Sequence, residues 1–394
     1  MLFRSKVKGK GTLSIYSSHN SGIHSKDNVT IKNATLLIKA MNNGIRGNDK
    51  VKIEENPTLG IVAGNNGIRT SNSDQGSSSQ HGYVYINGGN ITINSYGDGI
   101  DAAYAVEFAT STDDEGTVYS PVVDIYTNIY SSYSQSTGLG LKRRGPGGGF
   151  DGGGMDGGSS AEKADDSAKA IKAREAINVS AGEIFCYAYD DCLHADSSGT
   201  LDNGASPKGH INISGGSLSL KSSDDAVHAD GTLTVSDGTV HVAESHEGFE
   251  GKKVTITGGS SYIYASDDGV NASETIAISG GRLDVHLPAN GDVDGIDSNG
   301  GITITGGLVI ARGPNSSMAA PLDSDGGIKV SGGVVIVIGY CTNISSTLTK
   351  STSQYGLNSG NHTVTISGST IQYTNSVNYS GATTVFASAS ATIQ

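Results

Sequence analysis

An all-β fold, a right-handed parallel β-helix of about 12 rungs, is what this sequence predicts, and three observations predict it. An apolar-x-apolar phrase, often followed by Gly-Gly, occurs twelve times, from Val29-Thr30-Ile31 through Val84-Tyr85-Ile86-Asn87-Gly88-Gly89 to Val364-Thr365-Ile366. An acidic phrase keeps step with it. It reads Asp190-Asp191-Cys192-Leu193-His194-Ala195-Asp196, then Asp224-Asp225-Ala226-Val227-His228-Ala229-Asp230, and returns at His246–Glu250, Asp267–Ala272 and Asp294–Ser298. Counted from its second acid, the steps are 34, 22, 21 and 26 residues. Helix-period patterning is nearly absent, whereas Gly makes up 57 of 394 residues.

Each phrase has a physical reason. Alternation over three to five residues puts one face of a strand inward and the other outward. Gly-Gly suits a corner, where a positive φ is needed. A second alternating strand follows most corners, as in Ser217-Leu218-Ser219-Leu220 and Arg282-Leu283-Asp284-Val285. Then come the acidic or Asn turn and a third short strand such as Gly269-Val270-Asn271-Ala272. The turn phrase also runs through the N-terminal half, as Asn43-Gly44-Ile45-Arg46, Asn66-Gly67-Ile68-Arg69 and Asp98-Gly99-Ile100-Asp101. The copies before Asp98, Ser21-Gly22-Ile23-His24 included, lack acids, and these rungs read as the same scaffold without the same site, Asn suiting a corner that tolerates a left-handed backbone.

The expected organisation is one domain over residues 1–341, with insertions at about 71–80 and 143–166, and strands over 342–394 that close the same rod. The Gly-rich stretch Gly147–Gly158 lacks the Lys-Ser/Thr ending and the helix of a phosphate loop and reads as a linker. Three cysteines do not form a disulfide framework. Cys186 takes the place of Leu220 and Cys192 that of Ala226, so both are expected unbridged in the core. No run is long and apolar enough to span a membrane, and the start at Met1 has no signal core. The true N-terminus, with a signal or anchor, is expected to lie beyond this sequence, and the location to be extracellular or on the cell surface.

The net charge of −13 is concentrated. Between Asp190 and Asp325 stand 20 acidic and 6 basic residues, and the rest of the chain has 19 and 20. Such a field repels nucleic acid and anionic membranes and attracts cations. Asp190, Asp191, Asp224, Asp225, Glu247, Asp267, Asp268, Asp292 and Asp294 occupy equivalent positions on successive copies. Carboxylates about 5 Å apart repel by a few kcal/mol at intermediate dielectric. A Ca²⁺ ion, which takes six to eight oxygens, would relieve that repulsion. The competing reading is a solvated acidic turn. His194 and His228 share a column in which a zinc site could be drawn with two Asp, an outward His ladder being the commoner arrangement. Tyr187, Lys221 and Tyr264 fall in one outward column able to stack sugar rings and meet a carboxylate. No catalytic set stands out, since the basic residues of the acidic region are neither repeated nor visibly paired.

The residues from Ser222 to Ser236, His246 to Gly259 and Ala265 to Ala272 resemble a bacterial family, the carbohydrate-binding domain-containing proteins with a pectate-lyase-like β-helix. The resemblance is most specific from Ala181 to Gly333. It implies a secreted or surface-attached, non-catalytic, calcium-containing binder of acidic plant polysaccharide, the family's characterised type binding polygalacturonate and also cellulose. It points to Asp191, Asp225, Glu247 and Asp268 with their neighbours as metal ligands. Two other classes stay open, a calcium-dependent polysaccharide lyase and a surface adhesin with a protein partner.

Overall fold

A computed structural model describes residues 5–75, 80–128 and 167–394, so the insertion expected at 143–166 lies outside the described residues. Among the described residues every regular element is a β-strand. They divide into two compact units, one ending at Gly231 and one running from Thr232 to Gln394.

In the first unit the apolar phrases lie side by side in parallel register. Val29, Val51, Val84, Val106, Ile177 and Ile211 are successive partners, and each is fully buried. Burying such a side chain contributes about 1.5–3 kcal/mol, so a stacked file of them sets the register. The insertion at about 71–80 does not shift it, because it lies between the strands Ile68–Arg69 and Tyr83–Ser95.

The expectation of a pectate-lyase-like, right-handed parallel β-helix is corrected by how these strands close. Tyr83–Ser95 pairs with both Ala105–Phe108 and Val122–Thr127. Those two pair with Ala176–Val179 and Glu183–Ala188, which both pair with His210–Ser222. All six pairings are parallel and return to their start, which defines a closed six-stranded parallel β-barrel with many strands outside it. The physical reason lies at the Gly-Gly corners. They were expected to end strands, yet Tyr83–Ser95 continues through Gly88-Gly89 and His210–Ser222 through Gly215-Gly216. The second glycine of each pair takes a positive φ, 88° at Gly89 and 79° at Gly216, which turns the chain without breaking the ladder.

The turn phrase builds a second file, that of the short strands. Ile23, Ile45, Ile68, Ile100, Ile171, Leu193 and Val227 are successive partners. The residue before each is small: Gly22, Gly44, Gly67, Gly99, Ala170, Cys192 and Ala226. A Cβ added to Gly67 would stand 2.3 Å from Ile93 Cγ2 and 2.6 Å from the carbonyl oxygen of Gly99. Cys192 belongs to this file, and Cys186 pairs with Leu220; both are buried free thiols, as the register had indicated.

In the second unit Val254, Ile276, Ile302 and Ile328 form another parallel file. The end of the chain changes direction. Ala382–Ala387 runs antiparallel to Ile328–Gly339 and to Thr349–Ser353. Ser369–Asn375, Gly360–Ile366 and Ala391–Ile393 make an antiparallel sheet. Ile336, Val364, Tyr373, Val385 and Ile393 pack between them.

Overfilling the small-residue file is expected to be costly. Gly67→Ala should lower stability by about 1–3 kcal/mol in chemical denaturation. Gly60→Ala, whose Cβ meets only Leu37 Cδ2 at 3.3 Å, should change it by less than about 0.5 kcal/mol. Equal effects would refute the close-packing account.

Candidate binding and metal sites

The acids of the turn first serve the backbone. Asn66 Oδ1 accepts the N–H of Asp98, and Asp98 Oδ1 accepts that of Lys169. Asp191 Oδ1 accepts the N–H of Asp225, Asp268 Oδ1 that of Asp294, and Asp294 Oδ1 that of Ala320. The distances run from 2.6 to 3.1 Å. One side-chain oxygen at this position therefore satisfies a turn amide on the neighbouring strand, and Asn performs the task as well as Asp.

The remaining oxygens meet different surroundings in the two units. In the first, Lys169 Nζ lies 2.7 Å from Asp190 Oδ2 and 2.8 Å from Asp191 Oδ2. His194 Nδ1 is 2.5 Å from that same Asp191 oxygen, and Asp190 Oδ1 accepts the N–H of Asp191. Burial works to raise the Asp191 carboxyl, but His194 and Lys169 outweigh it and hold it well below the usual carboxylate range. His228 Nδ1 likewise sits 2.9 Å from Asp225 Oδ2. Lys169 is the residue that sequence reasoning missed. It stands next to the Gly-rich insertion, where no repeat signal marks it.

In the second unit no Lys or Arg pairs with Asp268, Asp294 or Asp297 among the described residues. Burial first, then Asp267, Asp294 and Asp297, push the Asp268 carboxyl up to about 7. Burial, with Asp297, Asp323 and Asp292, pushes Asp294 up to about 6. Asp297 and Asp323 are register partners. They were legible as the residues after the short-strand apolar position, but attention to the turn passed them over. Carboxylates crowded this way fit a hard, oxygen-seeking cation; those of Asp190 and Asp191, already engaged by a lysine, a histidine and backbone amides, fit one poorly. Glu247 accepts from Asn271 Nδ2 at 3.3 Å, and Asp267 lies 3.6 Å from His246 Nε2.

A separate cleft of about 480 Å³ opens in the second unit, lined by Tyr262, Tyr264, Arg282, His286, His362 and Tyr373 among others. Tyr264 stacks on its register partner His286, with ring centroids 4.2 Å apart and planes within 13°. The Arg282 guanidinium lies over Tyr262 at 5.3 Å. Beneath them Asp284, 3% exposed, takes Arg282 Nη2 at 2.5 Å, Arg312 Nη1 at 2.6 Å and His286 Nε2 at 3.2 Å. Burial opposes ionisation of Asp284, but His286 and the two arginines outweigh it and keep the carboxyl far below its ordinary range. Arg312 is fully buried and also donates to Asn375 Oδ1, Thr374 O and Val285 O, fastening the Ser369–Asn375 strand to the parallel file. His286 Nδ1 and Arg282 Nε are buried without a hydrogen-bond partner.

The structure thus pairs two arginines that looked unpaired in the sequence. Arg282, Asp284 and His286 alternate on one strand and share its outward face, a signal that spacing alone contained. Of the expected sugar-stacking column, Tyr264 lines this cleft. Tyr187 and Lys221 are register partners in the first unit, with Lys221 Nζ 5.2 Å from the Tyr187 ring centroid.

Residues 5–207 and 200–248 match the model of the carbohydrate-binding domain-containing protein family, more than half of the chain, and the chain belongs to that family. No curated protein and no solved structure matches it. The cleft lies C-terminal to the matched residues.

Two consequences are measurable. Asp268 ordinarily titrates near 3.8 and is raised to about 7 in the fold. Between those values the folded chain holds a proton that the unfolded chain has released. Its contribution is therefore stabilising at low pH and is lost as pH rises through about 7. In chelator-treated buffer, Asp268→Asn should gain melting temperature relative to the native chain as pH goes from about 5 to 8; a constant difference would refute the crowding of carboxylates. Arg312→Met, which removes one of the two guanidinium partners of the buried Asp284 charge and the bonds to Asn375 and Thr374, should cost about 3–5 kcal/mol, and adding Asp284→Asn should recover part of that loss in a denaturation cycle.

Proposed function

We propose that this chain is a non-catalytic binder of acidic polysaccharide and that sugar is held in the cleft of the second unit. The observation that carries this reading is the Tyr264–His286 stack beside Arg282 and above the buried Asp284. Tyrosine and imidazole faces suit the apolar faces of sugar rings. Arg282 supplies a forked donor for a uronate carboxylate. Membership of a carbohydrate-binding family supports a saccharide ligand. Arg282 and Arg312 are both committed to Asp284, which favours an anchoring role over proton abstraction.

Calcium enters the proposal at Asp267, Asp268, Asp292, Asp294, Asp297 and Asp323, where carboxylates crowd with no Lys or Arg partner among the described residues and only His246 near Asp267. Its role there is to hold the acidic turns together. A secreted or surface-attached location accords with a plant cell-wall ligand.

Binding to oligogalacturonate, measured by isothermal titration calorimetry, tests the reading. Arg282→Ala and Tyr264→Ala should each weaken affinity about tenfold, with the circular dichroism spectrum unchanged. Unaltered affinity in both variants would move the sugar elsewhere, with Tyr187 and Lys221 the next residues to change. Calcium at a hundred times its dissociation constant should add about 2.7 kcal/mol per site. Asp268→Asn with Asp294→Asn should abolish the resulting rise in melting temperature. No rise in the native chain would leave the acids as hydrogen-bonding turns alone.

A further inference from the structure

We propose that His194, His228 and Asp230 form a binding site for a zinc-class transition-metal ion, distinct from any calcium site and lying wholly within the first unit. His194 and His228 are register partners on adjacent parallel strands, with ring centroids 4.5 Å apart. Each follows an aspartate by three residues, and each donates Nδ1 to that carboxylate, Asp191 at 2.5 Å and Asp225 at 2.9 Å. Both carboxylates are 2% exposed. The same Asp-x-x-His device is thus built twice, side by side.

Its chemistry is that of an oriented metal ligand. A carboxylate on Nδ1 fixes the tautomer, places the lone pair of the neutral ring on Nε2 and raises its basicity. Both Nε2 atoms face Asp230 Oδ1, from 3.3 Å for His228 and 3.8 Å for His194. The other Asp230 oxygen is held by the N–H of Ser197 at 2.8 Å and its Oγ at 3.2 Å, so the carboxylate is aimed and not merely nearby. Asp196 offers a further oxygen, within 4.8 Å of the ligand atoms of His194 and Asp230.

Two imidazole lone pairs set against a carboxylate oxygen repel unless a proton or a metal ion lies among them, and a metal ion serves both rings at once. Tetrahedral zinc with bonds of about 2.0 Å has ligand–ligand edges of about 3.3 Å. The His228–Asp230 separation already has that length, and the His194–Asp230 separation needs only a small contraction. Imidazole nitrogens select zinc, copper or nickel over calcium, which prefers an all-oxygen shell. The acid-rich turns of the second unit and this pair of histidines therefore sort two kinds of cation.

Calorimetric titration of the chelator-stripped full chain with zinc chloride, in millimolar calcium, tests the site. One zinc per chain should bind in the micromolar range or tighter. His194→Gln with His228→Gln should weaken it at least a hundredfold. Asp225→Asn, which leaves every ligand in place, should weaken it about ten- to a hundredfold. No saturable binding, or equal binding in the double variant, would overturn the proposal. If the double variant loses its β-sheet circular dichroism, cobalt(II) on the native chain decides. Visible ligand-field bands that Asp230→Asn removes support the site, and their absence refutes it.

Discussion

The hydrogen bond from a turn amide to the side-chain oxygen of the equivalent residue on the neighbouring strand is what the rest of this structure depends on. A tight turn between parallel strands exposes an N–H that no ladder can satisfy, and leaving it buried costs roughly 1–3 kcal/mol. Asn66, Asp98, Asp191, Asp268 and Asp294 each meet that need. Because each bond joins neighbouring copies of one phrase, it fixes the register of the short-strand file. The small residues behind it then let the backbone pass within contact of the next turn.

Placing carboxylates in register creates an electrostatic problem, and the two units answer it differently. In the first, cationic or ionisable groups come to the acids: Lys169 reaches Asp190 and Asp191, and His194 and His228 cap Asp191 and Asp225. The outward residues of the short strands there include Arg46, Arg69, Lys172, His194 and His228 around Asp101. In the second unit the same outward position carries Asn271, Asp297 and Asp323, so acid faces acid. Burial lifts carboxyls in both units, Asp101 to about 6 as well as Asp268 and Asp294, but Arg69 and Lys172 oppose the lift at Asp101, whereas neighbouring acids add to it at Asp268 and Asp294. A net charge computed over Asp190 to Asp325 blends the two situations and hides the difference.

The cleft of the second unit follows a separate logic. A buried guanidinium is tolerated because each of its three nitrogens is bonded, to Asp284, Asn375 and two carbonyl oxygens. That arginine both fastens the antiparallel end of the chain and pins the carboxylate that orients Arg282 and His286. Stability and the geometry of the cleft are therefore coupled at Asp284, where the same charge serves both.

By itself the sequence determined the all-β class, the parallel register and the buried thiols, because period-two burial and in-step Gly corners act on neighbouring residues and leave a periodic trace. It also marked the turn acids, since a demand repeated at every turn repeats in the sequence. Only the tertiary structure decided how the strands close. Whether a Gly-Gly corner ends a strand or bends it depends on the ladders on either side, and here the strands run on into a closed six-stranded ring. Charge partnership was decided there too. Lys169 and Arg312 carry no repeat signature, and what they do depends on which carboxylate lies within about 4 Å, a distance that register and long-range packing set.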